Sequence, residues 1–408
     1  MRACLVIFFI ASLCPALLAQ TVAAHSPKLL LSSQRLRRLQ RDRDRQTVRW
    51  MNFEARVQSA PDSRERGFEL ALYSAITHDS ASARQAVEWA IAHPCQRRQV
   101  ALVLDWLAAS ISAAERNQLL AADCPATTGP EAARDALFLE IANGEDTDEL
   151  VEKTAKPLLA DLQKEGWQDG AKLYAALEYL YAVRSADRID LREEAHQFFS
   201  VLPAALLLSL KPDQLDHPDW RLHIAALALI DLDPNLNTSQ YLQGWAIGDR
   251  QMIQQGDGVA YELLWADPYL PGVGYENLDP WFYDPAGELY ARSDWNRDAC
   301  WIHVSPSGVE QQNCPAAWQD KSVSFGHLNL LPFSGACLPL PKQRSGEATI
   351  FWKFRPGQTI YYMLNDGAQA SVAADPAGMW KAPANAEGKV CDHLDTLKVP
   401  QARKPVRK

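Results

Sequence analysis

The chain has no Gly-x-Ser-x-Gly elbow, no glycine-rich phosphate loop, no His-Glu-x-x-His pair and no EF-hand spacing. Those absences remove sequence support for a serine hydrolase of that type, for phosphate-loop nucleotide chemistry, and for helix-borne zinc or loop-borne calcium. There is also no Cys-x-x-Cys and no His/Cys cluster with zinc spacing, so neither a metal nor another cofactor is expected. Positive charge is in deficit, with 41 Lys+Arg against 50 Asp+Glu and a net charge of −9. This argues against a nucleic-acid partner. Long apolar runs are missing except for one, ACLVIFFIASLCPALLA, which directly follows Arg2. It falls short of the roughly 20 residues of a membrane span, contains Pro15 and ends in small residues. Residues 1–24 therefore read as a signal peptide, cut after Ala19 or Ala24. No later segment is long and apolar enough to span, and the mature protein is expected to be soluble, either secreted or periplasmic.

What remains is ordinary globular material, 47% hydrophobic and 22% charged. A chain of 408 residues exceeds one usual core, so more than one domain is expected. Six cysteines follow the leader, and in an oxidising compartment fifteen complete pairings are open to them. The sequential set 95–124, 300–314 and 337–391 keeps each bridge local and is preferred. Several buried free thiols are the alternative.

Two periodicities divide the chain. Helical patterning starts at Ser32 or Ser33, either of which can cap a helix with Leu36 and Leu39 inward. Its arginines, interleaved with Asp42 and Asp44, read as a solvated face. Further helices are expected over 64–77, 81–92, 97–109, 113–121, 130–143, 148–165, 170–185, 191–210, 218–231, 239–255 and 259–265. Pro130 and Pro218 suit first turns, and Gly144 and Gly166 suit positions just past helix ends. ALVLDWLAA and VLPAALLLSL are apolar around most of their circumference, as helices buried on several sides are. This points to an inner ring of helices inside an outer one, or to a compact bundle. Beyond Asp267 the Pro-, Gly- and aromatic-rich stretch to 287 reads as an ordered linker. The short runs ELYARSDW, CWIHVSP, HLNLLPF, ATIFWKF and TIYYML then read as strands of an antiparallel sheet or sandwich. The expected division is a helical domain over 25–267, a linker over 268–287 and a β domain over 288–408.

Three stretches carry a family resemblance: His25-Ser-Pro-Lys-Leu-Leu-Leu-Ser with the Arg/Leu-rich helix after it, ALVLDWLAASISAAER (101–116), and DPAGELYARSDWNRDACWIHV (284–304). Together they resemble the heparinase II/III-like and alginate-lyase superfamily. That likeness implies an (α/α) toroid followed by a β-sandwich, and cofactor-free β-elimination on an acidic, uronate-containing polysaccharide. The family's His-x-His-x-Asp stretch is not matched in 311–331, where only Asp320 and His327 stand, and its paired Asn-His is absent. Two other readings therefore stay open: a non-catalytic glycan-binding or envelope scaffold protein, and a glycosidase on the same helices.

A uronate lyase needs a base, a proton donor and a group that neutralises the substrate carboxylate. Tyr174, Glu178 and Tyr181 recur at helical spacing beside an apolar stripe, and Glu178 would also serve a glycosidase. Their alternative is a core helix whose hydroxyls find partners. Trp220 and His223 share another stripe, with Arg221 between them, offering a sugar platform, a base or neutraliser, and a cation. Here too a hydrogen-bonded core histidine is the alternative. Tyr261 precedes the linker, which itself holds Tyr275 and Asn277 in a position suited to binding or to joining domains. The resulting assignment makes His223, Tyr261 and His327 the acid/base or neutralising groups. Tyr174, Glu178, Trp220, Arg221, Tyr275 and Asn277 are the sugar contacts. An acidic protein handling an acidic polymer also needs a local basic patch, for which Arg184, Arg188, Arg192 and Arg221 are the candidates.

Overall fold

The computed structural model describes residues 27–164, 166–186, 188–247, 251–283, 289–305 and 308–314, and beyond these the backbone of strands reaching to residue 391. The expected signal peptide and His327 lie outside the described residues. The described chain is mostly helical, followed by smaller sheets. The helices are α1 (Ser33–Asp44), α2 (Val48–Ser59), α3 (Arg66–Thr77), α4 (Ser80–Ala92), α5 (Arg97–Trp106), α6 (Ala113–Leu120) and α7 (Pro130–Asn143). They continue with α8 (Asp148–Lys164), α9 (Gly170–Ala186), α10 (His196–Ser209), α11 (Trp220–Leu232), α12 (Asn237–Ala246) and α13 (Val259–Trp265). None is long and apolar enough to cross a membrane.

Local chemistry sets the starts. Ser32, Thr47, Asp79 and Ser112 each accept a backbone N–H from the first turn of the helix they cap, and Ser112 forms a reciprocal capping box with Glu115. Pro130 opens α7 as expected, and Gly144 ends it in the left-handed conformation at φ 78°. The helix α2 is absent from the sequence reading. Gln46, at φ 50°, breaks the arginine-rich run, and Thr47 restarts the helix with Trp50, Phe53 and Val57 inward. The expected helix over 239–255 is shorter, ending at Ala246.

The helices fall into two sets by what they touch. Helices α3, α5, α7, α9 and α11 pack each on the next, and α13 packs on α11, α2 and α3, so the succession returns to its start. Helices α4, α8 and α12 lie against these from outside, with α6 on α4 and α10 on α11 and α12. Burial is densest in α13, all seven of whose residues are buried, in α9, where all eleven from Leu173 to Val183 are, and in α5, where nine from Arg98 to Trp106 are. At the start of α9 a Cβ on Gly170 would stand 2.6 Å from the backbone nitrogen of Leu222, so glycine permits α9 and α11 to touch backbone to backbone. Two of the stretches singled out in the sequence meet here. Asp105 accepts the amides of Lys28 and Leu29 at 2.9 and 2.8 Å, and the Trp106 indole donates to the Leu29 carbonyl at 2.7 Å.

The strands begin with β1 (Trp281–Tyr283), β2 (Leu289–Arg292), β3 (Trp301–Ser305) and β4 (Gly308–Gln312), an antiparallel sheet in that order. It docks on the helices through Trp301, whose indole donates to the Leu208 carbonyl at 2.8 Å, and through the fully buried Arg292. A six-stranded sheet follows in the order β11-β10-β9-β8-β6-β5. It comprises β5 (Val323–Phe325), β6 (Leu328–Pro332), β8 (Ala348–Arg355), β9 (Gln358–Leu364), β10 (Ala370–Ala373) and β11 (Met379–Ala382). The wholly antiparallel expectation needs correction here, because β6 and β8 pair in parallel. The connection between them over 333–347 is long enough for a crossover, which a hairpin would not need. The remaining strands, β7 (Cys337–Pro339) and β12 (Lys389–Cys391), form a two-stranded ladder. Cys95 is bonded to Cys124 and Cys300 to Cys314, as the sequential pairing anticipates. The expected bridge 337–391 falls on side chains outside those described; the ladder register sets Cys391 opposite Cys337.

Candidate functional site

The first turns of α5, α7, α9, α11 and α13 gather at one end of the helical body, around a cavity of about 230 Å³. Glu65, just ahead of α3, closes the same cavity. Helix starts gathered this way direct their positive dipole ends and unpaired N–H groups at one space.

The floor is a buried ionic knot. Glu178, fully buried, accepts Arg98 Nε at 2.8 Å and Nη2 at 2.6 Å, and also Arg134 Nη1 at 3.1 Å. Tyr174 donates to the same carboxylate at 2.6 Å. Burial opposes the charge on Glu178, yet the two guanidiniums outweigh it and hold the carboxyl below its ordinary range. Arg98 is likewise held above its ordinary range, Glu178 overcoming the desolvation. Removing one partner would strand the others without water, which is why such a knot is rigid.

Tyr261 stands on this floor. Its hydroxyl accepts from Arg98 Nη1 at 3.0 Å and donates to Glu65 Oε2 at 2.7 Å. Burial raises its pKa well above the usual tyrosine value, with Arg98 opposing. Tyr174 is shifted the same way. Both phenols are therefore proton donors at neutral pH and not bases. The Trp220 ring lies 6.1 Å from that of Tyr261, half-buried at the cavity edge, with the Arg221 guanidinium 4.6 Å over its outer face. Arg221 is exposed and makes no ion pair among the described residues. Glu131 and Asp135 line the opposite wall, and burial raises the Asp135 carboxyl despite its pairing with Arg134 at 2.8 Å.

Of the residues singled out in the sequence, Tyr174, Trp220, Arg221 and Tyr261 share this cavity, and Glu178 lies directly beneath it. His223 does not reach it. It is 0% exposed, its Nε2 sits 3.0 Å from Glu262, and Glu262 also receives Arg49 Nε at 2.7 Å. Tyr275 and Asn277 lie in a short 3-10 turn by α12, with the Tyr275 ring edge-on to Trp295 and Asn277 bonded to the Gly274 carbonyl. The candidate basic patch is divided. Arg184 and Arg192 both donate to the Leu232 carbonyl at the far end of α11, whereas Arg221 stands at its beginning. The sequence reading missed Glu65, Arg98 and Arg134. An arginine inside the apolar stretch RRQVALVLDW was the available signal for one of them. No group of three or more His, Cys, Asp or Glu placed to hold a metal occurs among the described residues.

No protein-family profile matches the chain, and no curated protein does. Two solved structures of the heparan sulfate lyase HepC from Pedobacter heparinus are similar to it. One is a mutant, at 15% identity and a TM-score of 0.37, and the other stands at 16% and 0.36. Each match covers 76% of this chain and 59% of the solved one, so the chain spans less than two thirds of the length of those lyases.

Proposed function

We propose that this is an exported polysaccharide lyase-like protein that takes an acidic, uronate-containing glycan into the cavity at the amino-terminal ends of its inner helices. The helix succession supports an (α/α) toroid over 25–267, joined through 268–287 to a β-sandwich over 288–408. The two disulfides support an oxidising compartment, secreted or periplasmic.

The observation that carries the reading is a neutral phenol, Tyr261, held between a buried guanidinium and a carboxylate on the floor of an aromatic-edged cavity. In this reading Trp220 stacks on a sugar ring, and the exposed guanidinium of Arg221 takes the uronate carboxylate. Drawing off that charge makes the adjacent C–H acidic enough for Glu65 to accept its proton. Tyr261 gives its own proton to the departing glycosidic oxygen, and Arg98 stabilises the phenolate left behind. Proton return from Glu65 along their shared hydrogen bond restores the pair. His223 supports α13 from the core side.

A second reading, hydrolysis, draws on the three cavity carboxylates Glu65, Glu131 and Asp135, of which Asp135 is shifted toward an acid's role. One assay separates the two. Purified mature protein is incubated with uronate polysaccharides while the absorbance of unsaturated uronate and the release of reducing ends are followed together. Elimination raises both; hydrolysis raises reducing ends alone. Tyr261→Phe and Glu65→Gln, confirmed as folded, should each lower the elimination rate at least 100-fold. Unchanged rates would remove Tyr261 and Glu65 from the chemistry, and silence with a retained glycan would leave a binding protein.

A further inference from the structure

At the opposite, carboxyl-terminal ends of α9, α11 and α13 lies a second cavity of about 340 Å³. Four guanidiniums line it, from Arg35, Arg38 and Arg41 of α1 and Arg184 of α9, against two carboxylates, Asp231 and Asp267. Much of this charge is engaged by the fold. Arg35 donates to the Leu30 carbonyl and to Asp231, Arg38 Nη2 to the Leu264 carbonyl at 2.6 Å, and Arg184 Nη1 to the Leu232 carbonyl at 3.0 Å. Asp267 faces Arg38 at 3.3 Å.

Two features are left over once the helix-end carbonyls and both carboxylates have been served. Arg38, 5% exposed, keeps its Nε buried and without a partner, in a position where an unmade hydrogen bond is costly. Arg41 is exposed and makes no side-chain hydrogen bond or ion pair among the described residues. Burial, and after it the proximity of Arg35, lowers the pKa of Arg38, so two like charges are held together there with incomplete neutralisation.

We infer that this second cavity is an anion-binding site, separate from the glycan cleft, that takes one oxyanion group, a carboxylate or sulfate, between Arg38, Arg41 and Arg184. Guanidiniums suit such groups because their donors are arranged in a planar fork. The site does not depend on the lyase reading. The oxyanion comes either from a free ion or from a group carried on a saccharide.

Calorimetric titration of the full mature chain at constant ionic strength tests this, with sodium sulfate, sodium glucuronate and a uronate oligosaccharide as probes and chloride as the blank. Saturable binding of at least one probe is expected. Arg41→Ala with Arg184→Gln should weaken one binding event at least 10-fold, while Arg84→Ala, on the exposed side of α4 and in neither cavity, leaves it unchanged. Binding of sulfate or glucuronate identifies a free-ion site, and binding of the oligosaccharide alone identifies a glycan-borne group. No saturable heat with any probe overturns the inference. So does a double substitution that removes no binding event, or loss of the same event with Arg84→Ala. Circular dichroism on each variant separates loss of binding from loss of fold.

Discussion

Tyr261 and Glu262 are neighbours in α13, and each ends in a three-membered polar cluster containing an arginine and a glutamate. Around Tyr261 the cluster is Arg98 and Glu65, and it opens on a cavity. Around Glu262 it is Arg49 and His223, closed off in the core with the histidine 0% exposed. Similar chemistry thus serves two ends. The closed cluster lines neither cavity, and it ties α13 to α2 and α11 through Arg49 and His223, which fixes the rotation of α13. That rotation is what presents Tyr261 to the cavity. The difference teaches that the reactive character of such a group depends on whether one side of its cluster is left to solvent, more than on which residue types compose it.

Substitutions can sharpen this contrast, and the largest effect is expected beneath the open cluster. Glu178→Gln leaves Arg98 and Arg134 buried with one partner weakened, and should lower stability in urea titrations by about 3–5 kcal/mol. A loss below about 1 kcal/mol would mean that water reaches the knot. His223→Ala should cost about 2–3 kcal/mol, from the lost packing and the orphaned Glu262 oxygen. Tyr261→Phe should cost only about 1 kcal/mol, since Arg98 and Glu65 each keep another contact. Reversal of that order would show that the two clusters have been assigned the wrong roles.

The pH dependence separates the clusters less strongly. Glu178 and Glu262 both have folded pKa values below the ordinary 4.5, burial being outweighed by their cationic partners. Their contribution is complete above that value and is lost as pH falls through the folded values. The tyrosines run the other way: with Tyr174 and Tyr261 raised above 10.0, their contribution is present below that value and is lost as pH rises through the folded values. Thermal melts across pH should therefore show an acid limb that flattens in Glu178→Gln and an alkaline limb that flattens in Tyr261→Phe.

Much of the helical framework was legible in the sequence, because caps such as Ser32, the first-turn Pro130 and the glycine at 144 act locally. The two local disulfides were legible for the same reason. The restart at Thr47 was hidden, since nothing in the arginine-rich composition announces a left-handed Gln46. At the site, Tyr174 and Trp220 stood out by their helical stripes, Arg221 as the cation beside Trp220, and Tyr261 as an aromatic just before the linker. His223 shares the stripe of Trp220 but sits one turn deeper, and helical spacing carries no information about depth. Arg98 could not be matched to Glu178 or Tyr261, 80 and 163 residues away, because only the closed arrangement of helices brings them together.

Those separations bear on how the molecule comes to be folded. Glu65 meets Tyr261 across 196 residues, and Arg35 meets Asp231 across the same interval. Contacts of such sequence distance close large loops, at an entropy cost that intervening helix pairs reduce by shortening the flexible chain. The cavity is consequently complete only once α13 has docked on α3 and α11. A nascent chain halted before α13 would hold Arg98 without its phenol, and an intermediate lacking that closure would fluoresce differently at Trp265 before it acquired any affinity for a ligand.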